Sequence, residues 1–259
     1  MLFFLMNVLF IGDVVGTAGC QFVQEHLYNL KKKYEIDLTI INGENSAQGN
    51  GITKFSAEQL FSAGADVITT GNHCFKRREA LSIYEHESII RPANYPEGCV
   101  GRGICRVDCG RTQVAVINLS GTTYLDPLDN PFTCIETLLE DIDTPNIIVD
   151  FHAEATAEKK AMGHFLTGRV TAVLGTHTHV QTADEIILGE HTGYITDAGM
   201  TGPELSILGV EIQPALDRFR FRFPTRFAEA QSPCFLNGVV LSFDEKYGKC
   251  MKIERVILR

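Results

Sequence analysis

Several signatures are missing from this chain of 259 residues, and each absence closes off a class of function. No apolar tract is long enough to span a bilayer as a helix, which argues against an integral membrane protein. No stripe of lysine and arginine stands out; the densest basic clusters are Lys31-Lys32-Lys33 and Lys76-Arg77-Arg78, and the net charge is −9. An acidic chain of this kind argues against DNA and against broad nucleic-acid or anionic-membrane binding. It leaves phosphate-bearing small molecules open, because bound cations reverse the field locally. The segment Gly12-Asp-Val-Val-Gly16 is neither a G-x-G-x-x-G fingerprint nor a P-loop, so a plain nucleotide-binding α/β domain lacks support. The eight cysteines include no C-x-x-C pair. They read as reduced structural thiols in a reducing compartment, which points to the cytoplasm. Repeats and low-complexity linkers are missing too, so the expectation is one domain over residues 1–259.

The apolar start, Met1 through Ile11, has no positive region before it and runs straight into Asp13. It is read as a short extension leading into a buried strand rather than as an export signal. Further on, short apolar runs alternate with helical patterns. Strands are expected at Asn7–Ile11, Leu38–Ile41, Asp66–Thr70, Ile104–Asp108, Gln113–Asn118, Asn146–Asp150 and Val170–Leu174. Helices are expected at Gly19–Lys33, Ser56–Ala63, Lys76–His86, Cys134–Asp141 and Ala155–Met162. Gly238–Phe243 and Cys250–Leu258 bracket a turn and read as a hairpin. The fold class is therefore α/β, a sheet core with helical cover. Residues 201–227, which carry Gly202-Pro203 and the alternating Arg218-Phe-Arg-Phe-Arg-Phe-Pro224, fit that pattern poorly and are expected to form an insertion or cap beside the active edge.

The polar residues that could carry chemistry fall just after strands, where ligands bind in open α/β sheets. His177 and His179 are two apart, so in extended backbone their rings share a side. That spacing suits a pair of metal ligands, or a polar loop with two hydrogen-bonded histidines. His152 ends Ile147-Ile-Val-Asp-Phe-His, as a ligand or as a satisfied core histidine. Asn72-His73 follows Val67-Ile-Thr-Thr, where Asn72 also suits a turn. Glu44-Asn45 follows Ile40-Ile-Asn-Gly, and Asp13 follows Val8-Leu-Phe-Ile-Gly. Five strands all finishing in ligand-type residues are hard to explain as solvated loops, and together they indicate a metal site. Carboxylate, amide and imidazole groups suit manganese or iron as readily as zinc.

These segments resemble the calcineurin-like metallophosphoesterase superfamily, and within it the YmdB-like bacterial phosphodiesterases. The resemblance is carried by Phe10-Ile-Gly-Asp-Val-Val-Gly16, Ile41-Asn-Gly-Glu-Asn45, Thr70-Gly-Asn-His73, Arg91-Pro-Ala-Asn94, Asp150-Phe-His-Ala-Glu-Ala155, Gly175-Thr-His-Thr-His-Val-Gln-Thr182 and Ile195-Thr-Asp-Ala-Gly-Met-Thr-Gly-Pro203. It implies a four-layer α-β-β-α sandwich of two mixed sheets with a small cap insertion. It also implies a binuclear centre, with one metal on Asp13, Glu44, Asn45 and His179 and a second on Glu44, Asn72, His152 and His177, Glu44 bridging. Val15 stands where the superfamily's D-x-H motif has histidine, and Glu44 replaces the bridging aspartate. Asn45 is positioned to supply the missing ligand, a harder set that favours iron or manganese over zinc. The implied chemistry is attack on phosphorus by a hydroxide bridging two divalent or trivalent ions, with His73 as proton donor. The implied substrates are 2′,3′-cyclic and also 3′,5′-cyclic nucleotide monophosphates. A phosphomonoesterase acting on nucleotides or phosphoproteins, and a weakly catalytic cyclic-nucleotide-binding regulator, stay open alternatives. Self-association into a homo-oligomer also stays open.

Overall fold

The computed structural model describes residues 5–259, the side chain of Ala80 aside. The short extension read at the start of the chain falls mainly on residues 1–4, which lie outside the described residues.

Strand β1 (Leu5–Ile11) sets the layering. Its side chains alternate between the two faces of the pleat. Leu9 and Ile11 join an apolar cluster with Val23 and Leu27 of α1 (Gly16–Lys33) and Leu60 of α2 (Lys54–Ala63). Met6, Val8 and Phe10 point the other way, into a second cluster with Val116 of β6 (Gln113–Ser120) and Ile148 of β7 (Ile147–His152). The opposite face of β6 and β7, through Ile117, Val149 and Phe151, packs on Ile135 of α4 (Pro131–Glu140) and Met162 of α5 (Thr156–Phe165). Helices, sheet, sheet and helices thus form the four expected layers.

The first sheet has seven strands. Parallel β1, β3 (Leu38–Asn42) and β4 (Val67–Thr69) form one flank. The long strand β12 (Cys234–Asp244) pairs antiparallel with β1 along residues 238–244 and with β11 (Met200–Pro203) along residues 234–236. β13 (Lys249–Leu258) closes the hairpin on the other edge of β12. β2 (Asp13–Val14) extends the sheet beside β11. The second sheet runs β5 (Ile104–Asp108), β6, β7, β8 (Ala172–Thr176), β10 (Thr192–Ile195) and β9 (Ile186–Leu188), with parallel pairing from β6 to β10 and antiparallel edges. Both sheets are mixed, as expected. β3, β7 and β8 are buried along their whole length because each is covered on both faces.

Two local expectations change. The helix anticipated over Lys76–His86 shrinks to α3 (Ala80–Ile83). Residues 72–79 form turns and bends instead, with Cys74 and Lys76 donating to the carbonyls three residues back, and the Arg77 guanidinium donates to the carbonyls of Asn50 and Gln48. Segment 201–227 also divides: Thr201–Pro203 lie buried in β11, and only later residues form the exposed helix α6 (Ile212–Phe221) and its flanking loops. No helix among the described residues is long and apolar enough to cross a membrane.

Candidate metal centre

The carboxyl ends of β1, β3 and β4 in one sheet and of β7 and β8 in the other open toward the same edge. Their loops bring together all eight residues singled out from the sequence. Glu44, just beyond β3, is the hub. Its Oε1 lies 3.2 Å from His152 Nε2 and 3.1 Å from His73 Nδ1, and accepts from Asn45 Nδ2 at 3.0 Å. Its Oε2 accepts the His73 backbone N–H at 3.0 Å. His152 Nε2 is also 2.9 Å from Asn72 Oδ1 and 3.1 Å from His177 Nδ1. Ligand atoms of Glu44, His152 and His177 all lie within 4.8 Å of one another, close enough for one cation. On the other side, Asp13 Oδ1 is 3.6 Å from His179 Nε2, which is 3.3 Å from Asn45 Nδ2.

The placement of protons decides whether these groups fit a metal. The Thr176 hydroxyl gives its one hydrogen to Asp150 Oδ1 at 2.7 Å, so toward His152 Nδ1, 2.9 Å away, it accepts. Neutral His152 then carries its proton on Nδ1 and turns a bare Nε2 toward Glu44, Asn72 and His177. The Nε2 of His177 is 3.0 Å from the Glu154 carboxylate, which takes its N–H and leaves Nδ1 bare as well. Once a cation displaces the proton that Glu44 otherwise draws onto His152, two imidazole lone pairs, an amide oxygen and a carboxylate oxygen meet at one point. That is a cation's donor set, and each ring is oriented by a hydrogen bond behind it. Around Asp13 the fit is looser. Asn45 turns its amide nitrogen to Asp13, Glu44 and His179, while its Oδ1 pairs with His73 Nδ1 at 2.8 Å. A half-turn about χ2 exchanges the two ends within the same volume. His179 Nδ1 is buried and has no hydrogen-bond partner.

The charges of the cluster are strongly coupled. Burial pushes Glu44 toward its neutral form, yet the adjacent His152 and His73 outweigh it and hold the carboxyl well below its ordinary range. Asp13 is treated likewise, burial being outweighed chiefly by His179. Burial opposes protonation of His152, but Glu44 reverses that and raises it to about 9. Asp150, buried between Thr69, Thr176 and Asn42, is pushed up to about 6 by its burial.

The backbone is shaped to fit. A Cβ at Gly71 would collide with the His152 ring and with Glu44 Oε2, so this strand end passes close only as glycine. His177 and His179 adopt φ of 100° and 65°. Such left-handed positions cost of order 1–3 kcal/mol each for a residue with a Cβ. They are held by Asp13 Oδ2, which accepts from His177 N, and by Asp197 Oδ2, which accepts from both Thr178 N and Thr178 Oγ1. Asp197 is itself paired with the buried Lys159 at 2.7 Å.

Asp150, Thr176, Glu154, Asp197 and Lys159 contribute to the site without having been singled out from the sequence. Asp150 and Thr176 did carry a signal, since each puts a polar side chain into a strand that is otherwise apolar. Arg91, within one of the resemblance motifs, donates its guanidinium to the carbonyls of Pro92, Cys99, Val100 and Gly101 and is a loop brace. Phe75 and Tyr95 pack edge to face on each other, whereas Tyr124 is exposed. All eight cysteines are free.

A two-sheet sandwich with carboxylate, amide and imidazole groups gathered where the strands end defines a metallophosphoesterase-type hydrolase. The chain belongs to the family described as YmdB-like protein, whose model matches residues 9–256. It is 47% identical over 256 residues to a 2′,3′-cyclic-nucleotide 2′-phosphodiesterase of Bacillus subtilis (strain 168), covering 98% of this chain and 97% of that one. Among solved structures it superposes on a novel phosphatase from Mycoplasma pneumoniae with a TM-score of 0.95 at 33% identity, covering 99% of this chain and 94% of that one. A hypothetical protein from Thermus thermophilus gives a TM-score of 0.93 at 40% identity, covering 97% and 98%.

Proposed function

We propose that this chain is a two-metal phosphodiesterase that opens 2′,3′-cyclic nucleotide monophosphates, with 3′,5′-cyclic monophosphates as a secondary substrate class. The observation that carries the reading is the convergence of Glu44 Oε1, Asn72 Oδ1, His152 Nε2 and His177 Nδ1 on one point. The name of the Bacillus subtilis relative supports the substrate class. Glu44, Asn72, His152 and His177 would hold one ion and Asp13, Asn45, Glu44 and His179 the other. Oxygen-rich donors without sulfur favour iron or manganese over zinc. Such a pair of ions, when bound, supplies an activated water and offsets charge on the phosphoryl oxygens.

The chain's own groups do the rest. Asp150 through Thr176, and Glu154 directly, fix which nitrogen of His152 and His177 faces inward. Glu44 Oε1 engages His73 Nδ1 and would be its orienting partner, Cys74 standing at the position where superfamily members often carry an acid. Nε2 is then the ring nitrogen that hands a proton to the leaving oxygen. The protein works as one domain in the cytoplasm, with the segment after β11 capping the site.

The test is His73→Asn with metal content measured in the same samples. Turnover of 2′,3′-cyclic AMP with Mn²⁺ should fall about 10²–10⁴-fold while metal occupancy is kept. Full turnover in the variant would remove His73 from the mechanism. The description of the Mycoplasma pneumoniae neighbour as a phosphatase favours a second reading, phosphomonoesterase activity. Faster cleavage of p-nitrophenyl phosphate than of its bis ester would select it.

A further inference from the structure

One surface is left unexplained by the metal centre. From Arg218 to Phe227 the chain interleaves Arg218, Arg220, Arg222 and Arg226 with Phe219, Phe221, Phe223 and Phe227. α6 ends at Phe221, and Arg222 turns left-handed with φ 59°, so the alternation leaves the helix and continues along a loop. None of the four rings is buried; their exposures are 68%, 48%, 56% and 47% in chain order. Phe221 and Phe223 stack on each other with centroids 5.2 Å apart and planes 25° apart. The Arg220 guanidinium lies 4.8 Å over the Phe221 ring.

Residues 218–227 carry four arginines and no carboxylate, a locally positive run in a chain whose net charge is −9. The strip leads somewhere. Arg226 and Phe227 line a cavity of about 720 Å³ whose other walls include Gln48, Arg77 and Asn45. Asn45 touches Glu44 and His73, so the cavity reaches the edge of the reactive cluster at that residue.

Exposed rings alternating with guanidinium groups are the chemistry of a single-stranded nucleic-acid track: rings stack on bases and arginines follow phosphates. A membrane-binding helix segregates its charges from its rings on opposite faces. Here the two kinds of side chain alternate and run past the helix end toward the site.

We propose that the strip binds single-stranded RNA and delivers a 3′-terminal 2′,3′-cyclic phosphate through the cavity, so that oligoribonucleotide ends are substrates alongside mononucleotides. This rests on the phosphodiesterase reading above. The chemistry at the terminus is the same hydrolysis: water forms a new P–O bond, the P–O2′ bond breaks, and O2′ takes a proton to leave a 3′-phosphate.

The test compares a ten-nucleotide RNA ending in a 2′,3′-cyclic phosphate with 2′,3′-cyclic AMP, using full-length protein, Phe221→Ala/Phe223→Ala and Arg220→Gln/Arg222→Gln. These side chains are exposed, and melting curves confirm that each variant is folded. Wild type should show a higher kcat/KM on the oligomer, and anisotropy should give an affinity that falls steeply with salt. Each variant should weaken RNA binding about tenfold or more and leave cyclic AMP turnover unchanged. An oligomer cleaved no better than the mononucleotide, with binding insensitive to both variants, overturns the proposal. So does binding of the strip to phosphatidylglycerol vesicles but not to RNA, or loss of a dimer as the variants' only effect. Failure to cleave cyclic AMP as well would instead sink the phosphodiesterase reading, while anisotropy would still report on the strip.

Discussion

Replacing Lys159 by methionine tests whether the loop carrying His177 and His179 is held from behind. Lys159 Nζ lies 2.7 Å from Asp197 Oδ2, and both side chains are almost wholly buried. Asp197 also accepts from Thr178 N at 3.0 Å, Thr178 Oγ1 at 2.7 Å and Gly199 N at 2.9 Å. Methionine fills a similar volume but leaves a buried carboxylate with neutral donors only. Breaking a buried pair in this way costs about 3–5 kcal/mol. For a domain of this size each kcal/mol moves Tm by about 2–4 °C, so a fall of about 6–20 °C is expected in scanning calorimetry. Asp197→Asn in the same chain removes the orphaned charge, and the double variant should be more stable than the sum of the single losses allows, by about 1 kcal/mol or more. Because Asp197 holds Thr178 between the two histidines, Mn²⁺ affinity by calorimetric titration should weaken with Lys159→Met as well. A loss under about 1 kcal/mol, or additive single and double variants, would show that the pair does not brace the loop.

Thr176→Val removes the group that accepts from His152 Nδ1, and Mn²⁺ affinity should fall about 10–100-fold while Thr176→Ser retains it; equal affinities in the two variants would dismiss the tautomer assignment. Asp184 carries a pH signature: burial alone would raise it, but hydrogen bonds from Thr196 and Thr182, with Lys160, lower it to about 2 from its ordinary 3.8. Its contribution is therefore fully present above about pH 4 and is lost as pH falls through about 2, so Asp184→Asn should flatten acid unfolding in that window and nowhere above it. Burial pushes the thiols of Cys20 and Cys74 up to about 12; both should resist Ellman's reagent at about pH 8 until guanidinium unfolds the protein, and fast native labelling at either would contradict their burial.

The layering and the gathering of the polar residues at one edge were legible for the same physical reason. A strand covered on both faces must be a short apolar run, so Ile147-Ile-Val and Thr171-Ala-Val-Leu stand out, and any ionisable residue just past such a run has nowhere to be except the sheet edge. Elements that depend on distant partners were not legible. β11 is four residues of Met-Thr-Gly-Pro, and only its pairing with β2 and β12 makes it a strand. Lys159 sits beside Lys160 in a helix that reads as amphipathic, and nothing local distinguishes the buried lysine from the exposed one. Its partner is 38 residues away. The basic strip at Arg218–Phe227 was visible as a string but not as a surface, because alternating arginine and phenylalanine also describes a half-buried strand.

Val15 shows why a departure in sequence can have a structural use. The position that carries histidine elsewhere in the superfamily here has its N–H on Thr201 O at 2.9 Å, and its side chain walls the cavity with Val210 and Glu229. The next residue, Gly16, has φ 66°, and a Cβ there would collide with the Glu229 carboxylate. That carboxylate accepts from Ala18 N at 2.9 Å and Thr17 N at 3.4 Å, satisfying first-turn N–H groups of α1 and complementing the helix dipole. The loop between β1 and α1 thus works in two directions. Asp13 turns inward to the ligand cluster, while Val15 and Gly16 seat the segment that carries Arg226 and Phe227. A histidine at position 15 would put a bulky polar ring against that cavity wall, whereas Asn45 arrives from the end of β3 and reaches Asp13, Glu44 and His179 without disturbing the seat.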